Sequence, residues 1–273
     1  MICASAPAKA ILFGEHFVVY GVPAIVVAID LRARVLARPR GDELIIIRAP
    51  DLSLAGSFGP DGAFRALEGE GAEGALRPIF RALEAVLKAS GAPRRGVELE
   101  VRSDIPVAAG LGSSAAVSVA CSAAFCALLD IEPEEELIFR ASLEAEKLVH
   151  ISPSGVDPAI STYGGAILYE RGKGIRRLEV RCPLEMVIGD TGLKRSTGAL
   201  VSAVRRLRER RPALFEKLLD SARELVSEAL DALSSCDLRA LGELMNVNHG
   251  LLSAIGVSNL ALERLVHAAR EAG

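Results

Sequence analysis

From Ile105 to Leu129 the chain carries no charged side chain: "DIPVAAGLGSSAAVSVACSAAFCALLD" has Asp104 and Asp130 only at its two ends. The stretch opens on a proline and two glycines, then two serines, then a long tract of small apolar residues. An uncharged run of this length either crosses a membrane or is a buried helix around which a large globular domain is built. The tract is mostly Ala, Ser and Gly, Pro106 stands near its start, and no Lys/Arg cluster flanks it, which selects the buried helix. With 273 residues, half of them apolar and a quarter charged, the chain can bury such a core in one large domain or two ordinary ones.

The mouth of that helix constrains chemistry as well as fold. "GLGSSA", Gly110 to Ala115, satisfies G-x-G-x-x-[GA], but a dinucleotide-binding unit needs a second strand before its acidic residue. Ala115 to Leu129 reads as unbroken helix and leaves no room for one. A phosphate cradle fits better, because flexible glycines turn backbone N–H groups inward and the helix dipole points at the same spot. No lysine follows as in a Walker loop. On these residues alone, a tight turn with a serine N-cap stays equally open.

Composition removes other classes. The net charge is -3 with both signs mixed along the chain, and the one basic run, "RRLRERR" (Arg205 to Arg211), reads as a solvated helix face rather than a nucleic-acid surface. Five cysteines, an odd number with no C-x-x-C pair, point away from a disulfide framework or thiolate metal site and toward a reducing, cytoplasmic compartment. Met1 leads directly to Lys9 and an apolar strand, so no signal peptide is expected.

Along the chain, "AKAILFGEHFVVYGVPAIVVAIDLRARVLARP" predicts two or three strands punctuated by Gly14 and Gly21, and "DELIIIRAP" another. Asp51 to Gly74, rich in Gly, Ala and acids, reads as a loop or insertion. A helix ending at Gly91, the strand "GVELEVRSDIPV", the uncharged helix, the helix "PEEELIFRASLEAEKLVH", the loop "ISPSGVDPAIS" and a β pair at "GGAILYERGKGIRRLEV" follow. "LEMVIGDTG" predicts a further strand opening a second domain. Thr197 to Leu252 reads as helices broken near Pro212 and Ser235, and "SNLALERLVHAAREAG" as a last helix with a Ser/Asn cap. Strands followed by helices, twice over, give an α+β class, with an N-terminal domain at 1–181 and a C-terminal α+β domain at 182–273.

Three stretches carry candidate chemistry: "PAKAILFGEHFVVYG", with Lys9 in an apolar strand and Glu15 and His16 at a turn; "PVAAGLGSSAA"; and "SPSGVDPAISTYGG", with Asp157. Taken singly, Lys9 could snorkel to solvent and Asp157 could be a turn residue. Together and in this order they resemble the superfamily of galactokinase, homoserine kinase, mevalonate kinase and phosphomevalonate kinase, with the mevalonate kinase family the close match. The similarity continues through "KRSTGALVSAV" to "NHGLLSAIGVSNLALERLV" and covers nearly the whole chain.

The resemblance implies a two-domain small-molecule kinase fold with its active site between the domains. It implies ATP and Mg2+ as cofactors and phosphorylation of the primary hydroxyl of mevalonate to 5-phosphomevalonate, for isoprenoid synthesis in the cytoplasm. Asp157 matches the catalytic aspartate that takes the hydroxyl proton, and Lys9 the lysine beside it that favours the alkoxide. Pro106, Ala108, Ala109, Gly110, Leu111, Gly112, Ser113, Ser114 and Ala115 match the ATP loop. Glu146 and Ser114 match the Mg2+ ligands, and Glu15, His16 and Thr197 the substrate side. A nucleic-acid or membrane partner is not expected, and a homodimer is left open. Members of the family continue past "REAG" into a third, glycine-rich motif that this sequence does not contain, so the second domain is expected to be incomplete. Phosphomevalonate kinase, galactokinase and a non-catalytic ligand-sensing relative are the rival readings. "GEHFVVYG" disfavours the first, an absent sugar-binding signature the second, and the retention of Lys9, Ser114, Glu146 and Asp157 the third.

Overall fold

A computed structural model describes residues 1–149, 154–193 and 197–273. The start of the expected loop at 150–153 and the "KRS" of "KRSTGALVSAV" lie outside the described residues. Two compact units interleave along the chain: one is Met1–Ala10 with Ala28–Gly165, the other Ile11–Val27 with Ala166–Gly273. The division expected from the sequence was sequential, at 181/182. It differs because two long N-terminal strands, β1 (Ile2–Phe13) and β2 (Ala24–Pro39), each give one end to either unit.

In the first unit the strands run in the order β5 (Phe64–Glu68), β4 (Leu54–Phe58), β3 (Ile45–Ala49), β6 (Val97–Ser103), β2, and β1 also pairs with β2. All the pairs on that path are antiparallel except β3 with β6, where Ile45 faces Val97 and Arg48 faces Glu100 in parallel register. A parallel neighbour needs a crossover, and α1 (Ala72–Ser90) supplies it, stopping at Gly91 in the left-handed region.

The strands β4 and β5 occupy the stretch that composition read as a loop. The misleading residue is Gly56. A Cβ there would sit 2.3 Å from the Phe64 ring, so this glycine marks a strand position over which an aromatic lies flat rather than a turn.

The uncharged tract forms α2 (Ser113–Leu128), buried on nearly all sides. Its Ala, Ser and Cys side chains are short, so α1, α3 (Glu135–Val149) and α4 (Val156–Tyr163) all pack close to it. With Phe58, Phe80, Val97, Leu99 and Phe125 it makes the core of this unit. Burial pushes the Cys126 thiol up to about 11 and Cys121 higher still, so both serve as small apolar fillers. No helix among the described residues is long and apolar enough to cross a membrane.

In the second unit the start of β2 pairs antiparallel with β7 (Ala166–Glu170), which forms a hairpin with β8 (Gly174–Leu178). Among the described residues four helices follow: α5 (Thr197–Arg210), α6 (Pro212–Ser235), α7 (Leu238–Ala254) and α8 (Leu260–Ala272). Their breaks fall where Pro212, Ser235 and the Asn259 cap predict them. A single 3-10 turn, Phe17–Tyr20, joins β1 to β2, and its Tyr20 ring meets Phe215 of α6 edge-on at 5.1 Å. The stretch "LEMVIGDTG" is not a strand. Its apolar residues suit a strand, but no described residue offers it a ladder partner, and Val187 stands fully exposed.

Candidate active site

Lys9 is a charged residue in the buried part of β1, only 8% exposed. Its Nζ reaches Asp157 Oδ1 at 3.1 Å, and its backbone N–H donates to the Leu111 carbonyl at 3.1 Å. One residue thus ties the strand to the glycine loop and to α4. Ser161 adds a second tie by donating to the Pro7 carbonyl at 3.0 Å. Asp157 is not in a loop, as its Gly-Ser-Pro setting suggested. Gly155, at φ +81°, caps α4, and Asp157 sits in the first turn, where Pro158 needs no N–H partner.

Gly112 is the close approach in this cluster. Its φ is +77°, and a Cβ there would lie 3.1 Å from Lys9 Cγ and 3.5 Å from Asp157 Oδ2. Gly112 is also the N-cap of α2, with no side-chain cap hydrogen bond, so the serine-capped turn left open by the sequence does not occur. The first N–H groups of α2 are therefore left for an incoming acceptor. Ala108 and Gly110 also take positive φ, and the loop at Pro106, Ala108 and Gly110 is exposed. Ser113 is half-buried and Ser114 exposed, whereas the Ala115 side chain faces the core and can offer only its backbone.

Glu146 reaches this cluster from α3. Burial pushes its carboxyl up to about 7, and the nearby Asp157 charge adds to the rise; the Gly155 backbone N–H and Lys9 pull it partly back. Its Oε2 is buried with no hydrogen-bond partner among the described residues. A buried carboxylate oxygen without a donor, next to a second carboxylate, suits a hard cation. Among the described residues no group of three or more His, Cys, Asp and Glu could hold a metal alone.

The remaining expected residues lie in the second unit. Glu15 and His16 follow Gly14 in the turn before the 3-10 segment, with Gly14 at φ +87° and His16 at φ +61°. Thr197 opens α5, and its side chain lies outside the described residues. Sequence reasoning missed Asn248, which donates from Nδ2 to Glu15 Oε1 at 3.0 Å. Its signal was readable: it stands two helical turns after Leu241 on the buried stripe of α7, where an apolar residue belongs.

A glycine loop opens a buried helix beside a strand lysine paired to an aspartate, as the motif resemblance leads one to expect. The family described as "GHMP kinases N terminal domain" matches residues 77–165. The mevalonate kinase of Pyrococcus abyssi is 44% identical over all of this chain and 83% of its own length, and that of Thermococcus gammatolerans is 44% identical with the same coverage. The crystal structure of L. major mevalonate kinase in complex with R-mevalonate superposes with a TM-score of 0.76 at 29% identity, over 100% of this chain and 81% of that one. The chain belongs to the mevalonate kinase family.

Proposed function

We propose that the chain transfers the γ-phosphoryl group of ATP to the primary hydroxyl of mevalonate, giving 5-phosphomevalonate and ADP for isoprenoid synthesis in the cytoplasm. The observation that carries this reading is the 3.1 Å Lys9–Asp157 pair beneath Gly112. Lys9 is buried and Asp157 half-buried, and an ion pair so shielded is weak support for stability, since apolar replacements of the same volume often do as well, so its presence calls for a chemical reason. Phosphoryl transfer gives one: it needs a proton acceptor for the attacking hydroxyl and neutral surroundings for the phosphates.

In this reading Asp157 takes the hydroxyl proton, and the Lys9 ammonium holds the carboxylate in place and favours the alkoxide. The backbone N–H groups from Ala108 to Ala115 receive phosphate oxygens, and Pro106, which has no N–H, borders the loop. Glu146 and Ser114 would hold Mg2+, which when bound with ATP would neutralise charge on the phosphate oxygens. Glu15, His16 and Thr197 meet mevalonate; the mevalonate bound to the L. major relative supports that choice of substrate. The test is coupled ADP release with mevalonate, phosphomevalonate and galactose side by side. Turnover confined to mevalonate is expected, and a preference for either of the others would replace the reading.

A further inference from the structure

Asn248 is 4% exposed, and it is one of two buried residues on α7, the other being Leu241. A buried amide costs stability unless both its ends are paired. Here only one end is: Nδ2 donates to Glu15 Oε1, while Oδ1 is buried without a hydrogen-bond partner among the described residues. The amide orientation follows from chemistry, because an ionised carboxylate only accepts. The backbone on either side of the acceptor residue is constrained as well. A Cβ on Gly14 would lie 2.2 Å from the Pro23 carbonyl oxygen, and His16 holds a left-handed φ that costs a residue with a side chain. Gly14 and His16 constrain the backbone on either side of Glu15, and the Asn248 amide holds its Oε1. Glu15, Asn248 and His249 line a cavity of about 620 Å³ with Leu12, Met245 and Arg270.

We infer that Asn248 is a positioning residue for substrate recognition, acting through Glu15. The inference rests on the proposed function and goes beyond it by naming what fixes the substrate-side carboxylate. A leucine of similar size would fill the same stripe without an orphaned oxygen, so the asparagine is kept for the carboxylate it aims. That carboxylate, acceptor-only, suits a hydroxyl of the substrate and repels its carboxylate end.

The experiment is a double-mutant cycle on Glu15→Ala and Asn248→Ala, read as KM and kcat for mevalonate and KM for ATP, with mevalonate affinity also measured by calorimetric titration. Loss of one hydrogen bond to a charged group should raise the KM and Kd for mevalonate about ten-fold to a hundred-fold in Asn248→Ala. The KM for ATP should stay within about two-fold, and the double variant should match Glu15→Ala alone within about two-fold. A structural role would instead add to the Glu15→Ala effect and move both substrates. If Asn248→Ala does not fold, Asn248→Ser, too short to reach Glu15, replaces it with the same expectation. Unchanged mevalonate affinity in a folded Asn248 variant, or additive effects in the cycle, overturns the inference. A wild-type chain that neither binds nor phosphorylates mevalonate overturns the functional reading itself.

Discussion

Replacing Glu146 by Gln keeps the shape of the buried side chain and removes its ionisation. Burial and the Asp157 charge raise this carboxyl from 4.5 to about 7. The folded state therefore binds the proton more tightly than the unfolded chain does. The carboxyl's contribution to stability is complete below about pH 4.5, falls as pH rises through 7, and levels off above it. A rise of this size corresponds to a loss of about 3 kcal/mol between pH 4.5 and 8. In Glu146→Gln that loss is absent, while every other titrating group remains. The difference between wild-type and variant stability should thus shift by about 3 kcal/mol in the variant's favour across that range.

Urea unfolding of both proteins at pH 5, 6, 7 and 8, without metal or nucleotide, reads this difference directly. If the two stability curves run parallel to within about 0.5 kcal/mol, Glu146 is not held protonated by burial and the reasoning fails. The same proton must leave before a cation can bind. Mg2+ affinity in wild type should accordingly weaken by about ten-fold per pH unit below 7 and be weak and flat in Glu146→Gln.

Gly112→Ala should destabilise the chain and cut turnover by about ten-fold or more, since it adds a left-handed strain and pushes on Lys9. Gly21→Ala, with similar φ but open space around it, should cost stability alone, and comparable activity loss in both would argue against the close approach at Gly112. Glu263 on α8 accepts from Ser258 at 2.5 Å, from His249 at 3.1 Å and from Ser253 at 2.9 Å, which hold its carboxyl down to about 2. Its contribution is present above the ordinary value near 4.5 and lost as pH falls through 2, so Glu263→Gln should melt earlier at pH 7 and converge with wild type in strong acid. Equal melting at pH 7 would mean the network adds nothing.

Much of this was legible because the relevant residues break a local pattern. An uncharged run with glycines at its mouth, a lysine inside an apolar strand and an aspartate beside a glycine each stand out from their neighbours, and the ordered motifs joined them. Helix limits at Pro212, Ser235 and Asn259 were likewise written in cap and breaker chemistry. What stayed hidden depended on contacts far apart in sequence. Gly56 reads as loop until Phe64 lies over it, and "LEMVIGDTG" reads as strand although no described residue pairs with it. The interleaved units could not be seen because a strand shared by two units leaves no change in composition. Asn248 breaks the apolar stripe of α7, but what it holds, Glu15, lies far away along the chain.

The central claim is that Asp157, held by Lys9, accepts the proton of the attacking hydroxyl. Asp157→Asn preserves the volume and the place of that side chain and removes its ability to take a proton. Steady-state ADP release with mevalonate, measured beside ATP binding on the same preparation, tests the claim most directly. Turnover lowered by about a hundred-fold or more with ATP affinity within a few-fold is the predicted result. Near wild-type turnover in Asp157→Asn would contradict it.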